Sequence, residues 1–421
     1  MTVIGVDDTD SRERGMCTTY LAAQLADRFR KRSRVERMLL VRLNPAAPHK
    51  TRGNAALAIH TDLESEKAFD LAHDLIAEIA EIADEHTDPG LVVAAGDAEG
   101  IDRRISAFAR TAVTGFHDLN ATLSLIDSWG LRHAGWKTGR GRIGALAAVG
   151  AWTAFDDWTV EHIAYRDPDR WGTPRDVDID SVFEAADHAY PAAWDTVDHD
   201  EADPVCVPHT PGPVLYGIRG DDVDAVREVA TGIESEPVHT TELFLANQGT
   251  DAHLQHGEIG RLEDGRAYRV TGTVAEPPST RRGGHVFVPI ESGGQRLPCA
   301  AFEPTKRFRD RVRALRAGDR VTACGEVAEG TLKLEKFAVR SLVRTETVTP
   351  ICPDCGRSME SAGADQGYRC RDCGTTAPAK VEQAIVRDLE RGWYEVPPCA
   401  RRHIAKPLVR GGFDAPVHPE R

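Results

Sequence analysis

The 421 residues are more than one core can hold, and a hydrophobic content of 41% is ordinary for globular protein, so two to four domains are expected. No run approaches the roughly eighteen apolar residues that a membrane helix needs, and acids follow the first strand with no basic n-region, so a signal peptide is excluded and the cytoplasm is expected. The net charge of −14 excludes a uniformly basic nucleic-acid binder, but residues 305–345 carry 11 Lys+Arg against 5 Asp+Glu.

In chain order, Val3–Val6 reads as a short strand. A polar loop runs from Asp7 to Cys17, and Leu21, Leu25 and Phe29 at helical spacing predict a helix over about 18–30. Strands are predicted at 37–43, 54–59 and 91–95, with a long helix at 64–83, so this part is α/β or α+β. A second unit begins near Trp129. It holds the glycine-rich stretch 135–144, strands at 213–218 and 238–245, and a helix at 221–230. These elements suit a ferredoxin-like split βαβ layout. Residues 166–204, rich in Asp, Pro and Trp, read as a long excursion. From Tyr268 the texture becomes β: strands at 268–274, 286–290, 296–301, 320–327 and 331–343, with one helix at 305–315. Five strands with a helix between the third and fourth match an oligonucleotide-binding (OB) barrel, another small β domain being the alternative. No internal repeat is visible.

Nine cysteines occur, and Cys352-x2-Cys355 with Cys370-x2-Cys373 form two knuckles. Each pair offers two thiolates from one tight turn, and Gly356 and Gly374 can turn backbone N–H groups toward sulfur. Four soft ligands leave no open position, so the expected zinc is structural. The other five cysteines lack framework spacing and read as free thiols. With 9 lysines, 43 arginines and 66 acids, the composition suits a high-salt cytoplasm, where an RNA binder leans on stacking, shape and hydrogen bonds.

Asp7-Asp8-Thr9-Asp10-Ser11 stands between a strand and a helix. Carboxylates there can hold Mg²⁺, while the helix start at Thr18 offers N–H groups to phosphate and Gly15 permits close approach. That is a nucleotide site without a Walker A motif; a solvated Asp turn with a Thr cap is the plain alternative. Gly139-x-Gly141-x-x-Gly144 with Lys137, Arg140 and Arg142 is a second anion cradle, or simply a packed glycine turn. Lys306, Arg307, Arg309 and Arg313 on the helix at 305–315 fit contacts to tRNA phosphates, or a solvated face.

Several strings resemble the archaeal tRNA(Ile) agmatidine synthetase (TiaS) family. They are Gly5–Ser11, Gly15–Tyr20, Arg42–Pro45 with Lys50–Asn54, Pro208–Pro211 with Gly217–Gly220, and Asn247–Asp251 with His253. With the barrel and ribbon, the resemblance covers essentially the whole chain in order. It implies an enzyme that uses ATP to join agmatine to C2 of the wobble cytidine of a tRNA(Ile) with a CAU anticodon, giving a product that reads AUA. It implies a multidomain α+β fold: an ATP-binding, kinase-like domain over 1–128, a ferredoxin-like domain over 129–258, an OB-fold over 265–345, and a zinc ribbon with C-terminal segment over 346–421. The aspartates at 7, 8 and 10 would serve ATP and metal, and Thr18 would be an autophosphorylation site. Ser11, Gly15, Lys137, Arg140 and Gly141 are then candidate phosphate contacts. His209, Thr210 and Asp251 are candidates for agmatine, whose guanidinium end wants a carboxylate fork or carbonyls. A non-catalytic RNA binder built on barrel and ribbon is the second reading. A metabolite enzyme is the third, disfavoured by barrel and ribbon.

Overall fold

The computed structural model describes residues 1–421 apart from Arg12, Arg14, Lys50, Thr51 and Arg52. The string from Lys50 to Asn54 therefore lies mostly outside the described residues.

The N-terminal half runs β1 (Thr2–Asp7), α1 (Thr18–Arg30), β2 (Val35–Arg42), β3 (Ala55–Thr61), α2 (Ser65–Ile79), β4 (Gly90–Ala95), α3 (Arg103–Thr114), α4 (Leu119–Ser128), β5 (Arg132–Gly135) and α5 (Arg142–Gly150). The next unit runs β6 (Thr159–Arg166), α6 (Ile179–Ala189), β7 (Ala193–Trp194), β8 (Val214–Gly220), α7 (Val223–Gly232) and β9 (Val238–Ala246). All nine strands form one sheet, ordered β5-β4-β1-β3-β2-β9-β6-β8-β7. Every pairing is antiparallel except β2 with β9, where Leu39 faces Leu245 and Leu40 faces Ala246. Each half contains a β-α-β-β-α-β run, β1 to β4 and β6 to β9, with its strands in the same relative order, fourth-first-third-second. The fold is thus repeated where the sequence shows no repeat.

The strands of the first half are apolar on both sides because both faces are covered. Ile4, Leu40 and Val93 pack under α1 and α2, while Val3, Leu39 and Val92 pack under α3 and α5. Leu21, Leu25 and Phe29 of α1 are fully buried, each contributing about 1.5–3 kcal/mol of hydrophobic stabilisation.

β5 pairs with β4, and α5 shares a core with β1, β3 and β4, so the stretch from 129 to 150 packs on the first half. One expectation needs correction. Residues 166–204 are no unanchored excursion, for they hold α6 and β7. Asp178 caps α6 by accepting from the Ser181 N–H, and Val182 and Ala186 pack into a core with α7.

The barrel comprises β11 (Arg266–Val274), β13 (Val286–Ser292), β14 (Gln295–Ala301), β15 (Arg320–Ala328) and β16 (Thr331–Ser341), preceded by β10 (Leu254–His256) and with the short β12 (Ser279–Thr280) beside β13. It closes through β11-β13-β14-β16-β15-β11, with β14 and β16 parallel. The helix at 305–315 is shorter than its periodicity suggests. A single 3-10 turn at Glu303–Thr305 is followed by Lys306 at φ 51°, so the helix, α8, spans only Phe308–Arg313. Its buried Phe308 and Val312 join the barrel core.

A two-stranded neck, Thr345–Val348 with Val381–Ala384, leads into and out of the ribbon. The chain then returns: Gly392–Glu395 pairs with β16, and the tail straps the barrel to the sheet. Arg401 is buried between Asp195 and Glu395, and Arg410 reaches Asp221 at 2.7 Å and Asp157 at 2.9 Å. No helix among the described residues is long and apolar enough to cross a membrane.

Candidate functional site

A cavity of about 270 Å³ opens where β1 ends. Asp7, Asp8, Asp10, Thr18, Arg140, Gly141 and Gly144 line it, with Arg42, Asn44, His117 and His403 on its other walls. The acid loop is shaped by its neighbours. Asp8 adopts φ 59°, a left-handed conformation that Asp tolerates better than most residues, and its Oδ2 accepts the Asp88 N–H at 3.0 Å. The Thr87 hydroxyl donates to the Asp10 carbonyl, and the Ser11 hydroxyl donates to Asp84, each at 2.5 Å. Burial, then the charges of Asp8 and Asp10, hold the Asp7 carboxyl well above the usual carboxylate range. Burial also raises Asp8 to about 7 against the lowering effect of the Asp88 N–H. Carboxyls crowded and desolvated in this way favour either protons or a cation.

The glycines admit the acids. A Cβ on Gly144 would lie 1.9 Å from Asp7 Oδ2, and one on Gly141 would meet the Gly90 nitrogen at 2.6 Å and the Asp7 and Asp88 carbonyls at 2.8 Å. The first turn of α5 thus rests directly on the end of β1. Arg140 also faces the cavity, and its guanidinium has no partner among the described residues. Thr18, buried at the start of α1, accepts the Thr9 N–H at 3.4 Å through Oγ1.

Three candidate phosphate contacts sit elsewhere. Lys137 places its ammonium on the carbonyls of Asp84, Glu85 and Thr87 at 2.6, 3.0 and 3.0 Å, which uses all three of its donors. It braces the loop that carries Asp88, and its charge acts on the Asp8 carboxylate, favouring the ionised form. Ser11 braces the same loop through Asp84. Gly15, at φ 85°, abuts Gly212, so its lack of a side chain serves a turn and a neighbouring loop.

The agmatine candidates are not gathered in the cavity either. Asp251 receives Lys336 Nζ on both oxygens at 2.8 and 2.9 Å and the Lys406 N–H at 2.6 Å, a structural ion pair at the barrel junction. His209 is exposed, 3.6 Å from Asp203, and Thr210 lends its carbonyl to Arg175. The basic residues around α8 are also engaged. Arg307 pairs with buried Asp198 at 2.9 Å and with Glu420 at 2.5 Å, and Lys306 pairs with Glu201 at 3.2 Å. Arg309 donates to the Gly284 and Lys306 carbonyls, and Arg313 meets Asp310 and Thr280. Most of this positive charge is spent inside the protein.

In the ribbon the four cysteine sulfurs lie within 4.8 Å of one another, with Cys355 and Cys370 3.5 Å apart. Tetrahedral Zn–S bonds of about 2.3 Å put sulfurs roughly 3.8 Å apart, so the donor set fits zinc. The Gly356 and Gly374 N–H groups close the knuckles on the Cys352 and Cys370 carbonyls.

Three family models match in order: the TiaS TCKD domain over residues 3–62, the TiaS FLD domain over 139–253 and the TiaS C-terminal zinc ribbon domain over 349–389. A 2-agmatinylcytidine synthetase TiaS for an isoleucine tRNA, from Haloquadratum walsbyi, is 53% identical, with all of both chains covered. The chain belongs to the TiaS family. The TiaS of Methanosarcina mazei is 47% identical, covering 97% of each chain. A crystal structure of apo TiaS is similar with a TM-score of 0.91 at 42% identity over all of both chains. A TiaS complex with an isoleucine tRNA and ATP is similar with a TM-score of 0.91 at 42% identity, covering 100% of this chain and 99% of that one.

Residue-by-residue reading of the sequence did not single out Arg42, Asn44, His117 and His403 on the cavity's other walls. Arg42 and Asn44 stood in a string that resembles the family, so a signal existed. Nothing in the sequence links His403 to Asp7 nearly four hundred residues earlier.

Proposed function

We propose that this chain is an ATP-dependent tRNA ligase that joins agmatine to C2 of the wobble cytidine of a tRNA(Ile) with a CAU anticodon. The product is agmatidine, which reads AUA. The observation that carries the reading is the cavity in which Asp7, Asp8, Asp10 and Thr18 face Arg140, in a chain similar along its whole length to TiaS. TiaS has been crystallised with an isoleucine tRNA and ATP, and with that tRNA, AMPCPP and agmatine.

The C2 oxygen of cytosine is a poor leaving group. Once it carries a phosphoryl group from ATP, the primary amine of agmatine can add at C2, and phosphate departs with the C2 oxygen. The amine must be neutral to attack, so one proton leaves it as the bond forms. The N-terminal half acts as the kinase-like unit. Asp7, Asp8 and Asp10 offer oxygens to Mg²⁺, which would offset phosphate charge. Arg140 meets the phosphates from the opposite wall, and Thr18 is the proposed autophosphorylation site: its hydroxyl oxygen would take the γ-phosphoryl of a separate ATP, losing its proton as ADP leaves, at a helix start where negative charge is favoured. Positioning and charge stabilisation supply most of the acceleration in such transfers. The second unit is read as ferredoxin-like, on its strand order β9-β6-β8-β7. A substrate tRNA makes the cytoplasm the working compartment.

The test is nucleoside mass spectrometry. A tRNA(Ile) transcript with a CAU anticodon, incubated with enzyme, ATP and agmatine, should yield a cytidine heavier by agmatine less water. Asp8→Ala should abolish that product while tRNA binding persists. A wild-type protein that binds the tRNA but never yields the product would return the chain to the non-catalytic RNA-binding reading.

A further inference from the structure

A second cavity, of about 390 Å³, adjoins the first and shares Arg42, Leu43, Gly53 and His403 with it. Its remaining wall comes from the barrel and the tail: Glu326, Lys333, Arg402 and Ile404, with Pro45 and Ala46 at the edge. The charges are unbalanced. Arg402 pairs with Glu326 at 2.5 Å, the one acid among the described residues that line this cavity, and its Nη1 has no hydrogen-bond partner among them, although buried Glu335 lies near enough to feel its charge. Lys333 stands 3.8 Å from the same, already engaged Glu326. Among the described residues the Arg42 guanidinium donates to neutral oxygens, at 3.2 and 3.1 Å to the Gln248 amide and 3.4 Å to the Gly53 carbonyl, and the Glu161 carboxylate acts on it only through space. A largely desolvated guanidinium with no carboxylate in contact is costly unless an anion completes it.

We propose that this second cavity seats a backbone phosphate of the RNA strand beside the nucleotide being modified, held by Arg42, Lys333 and Arg402. The inference rests on the RNA-directed reading above and adds the path by which the strand reaches the phosphoryl site. The wall's chemistry chooses between the substrates. Its excess cations attract a phosphodiester and repel agmatine, a dication. The fork of a guanidinium suits phosphate oxygens, and the paired Glu326 keeps Arg402 in place for that contact. The site exists only where the N-terminal half, barrel and tail meet, so RNA would be gripped only by the assembled chain.

The experiment uses full-length protein carrying Lys333→Gln, Arg402→Gln or the charge-preserving Lys333→Arg. Lys333 is 39% exposed, so its replacement leaves no buried cavity. Initial rates would be measured against tRNA, ATP and agmatine separately, and tRNA binding across a salt series. Lys333→Gln should raise KM for tRNA about tenfold with KM for ATP and agmatine unchanged. It should flatten the logarithmic salt dependence of tRNA binding by about 0.7, the value for one contact to single-stranded phosphate. Lys333→Arg should restore both. An unchanged tRNA KM and salt slope in both Gln variants would overturn the proposal. So would a change confined to agmatine, which would assign the cavity to the amine. Failure of the wider reading would look different, since wild type itself would then make no agmatine adduct.

Discussion

Gly144→Ala tests the idea that α5 is fitted onto the acid loop. The new Cβ would stand 1.9 Å from Asp7 Oδ2, 2.6 Å from Asp7 Cγ and 2.9 Å from Leu43 Cδ1. To reach ordinary contact, the Asp7 carboxylate must retreat by roughly 1 Å or more. The atoms in the way are side-chain atoms, so the fold can absorb the methyl at about 1–3 kcal/mol, the usual cost of overpacking. Catalysis cannot absorb it as easily, since a misplacement of about 1 Å at a reacting site costs on the order of 10²-fold in rate. Gly5→Ala is the contrasting variant. Its Cβ would meet the Ala145 carbonyl oxygen at 2.0 Å, and that is backbone. It should lose more thermal stability than Gly144→Ala, and its folded fraction should keep more activity. The assay pairs calorimetric melting with the rate of agmatine incorporation per folded molecule. A Gly144→Ala enzyme that melts within a few degrees of wild type and works at the wild-type rate would refute the reasoning.

Two further outcomes are expected. Lys137→Met should lower kcat with KM for ATP nearly unchanged, because its ammonium holds three carbonyls of the loop beside Asp8 and its charge favours the ionised Asp8 carboxylate, whereas Arg140→Ala should mainly raise KM for ATP; steady-state kinetics showing the reverse pattern would exchange their roles. Removing zinc should expose residues 349–389 to protease while the sheet and barrel stay resistant. The ribbon's own buried cluster is only Cys352, Met359 and Cys370, too small to fold without metal. A ribbon that resists protease after chelation would contradict this.

What local spacing dictates was legible. Period-two and period-3.6 apolar patterns located most strands and helices within a few residues, since each element's own side chains decide whether it can bury a face. The two Cys-x2-Cys turns specified a closed zinc site, because both ligands of each pair come from one turn whose geometry its glycine permits. The acid run at the end of β1 was visible for the same reason: strand, loop and helix start are neighbours in the chain.

Partner choice was not legible where partners lie far apart. Lys137 in a glycine-rich stretch reads as a phosphate ligand, but in the fold the carbonyls of Asp84, Glu85 and Thr87 accept its hydrogen bonds. Arg307 reads as an RNA contact until Asp198 and Glu420 arrive from elsewhere to neutralise it. Asp251 reads as a guanidinium receptor until Lys336 occupies it. By itself, then, the sequence determined the repertoire: acids at a strand end, glycines where a helix must come close, thiols in pairs, arginines in excess. Tertiary structure decided which of those groups remain available. Joining β2 to β9 and strapping the tail across the barrel brings distant charges within hydrogen-bond reach, and a buried charge takes the nearest opposite charge it can find. Among the described residues Arg140 and Arg42 form no ion pair with a carboxylate, and the structure leaves them on the walls of its two adjoining cavities.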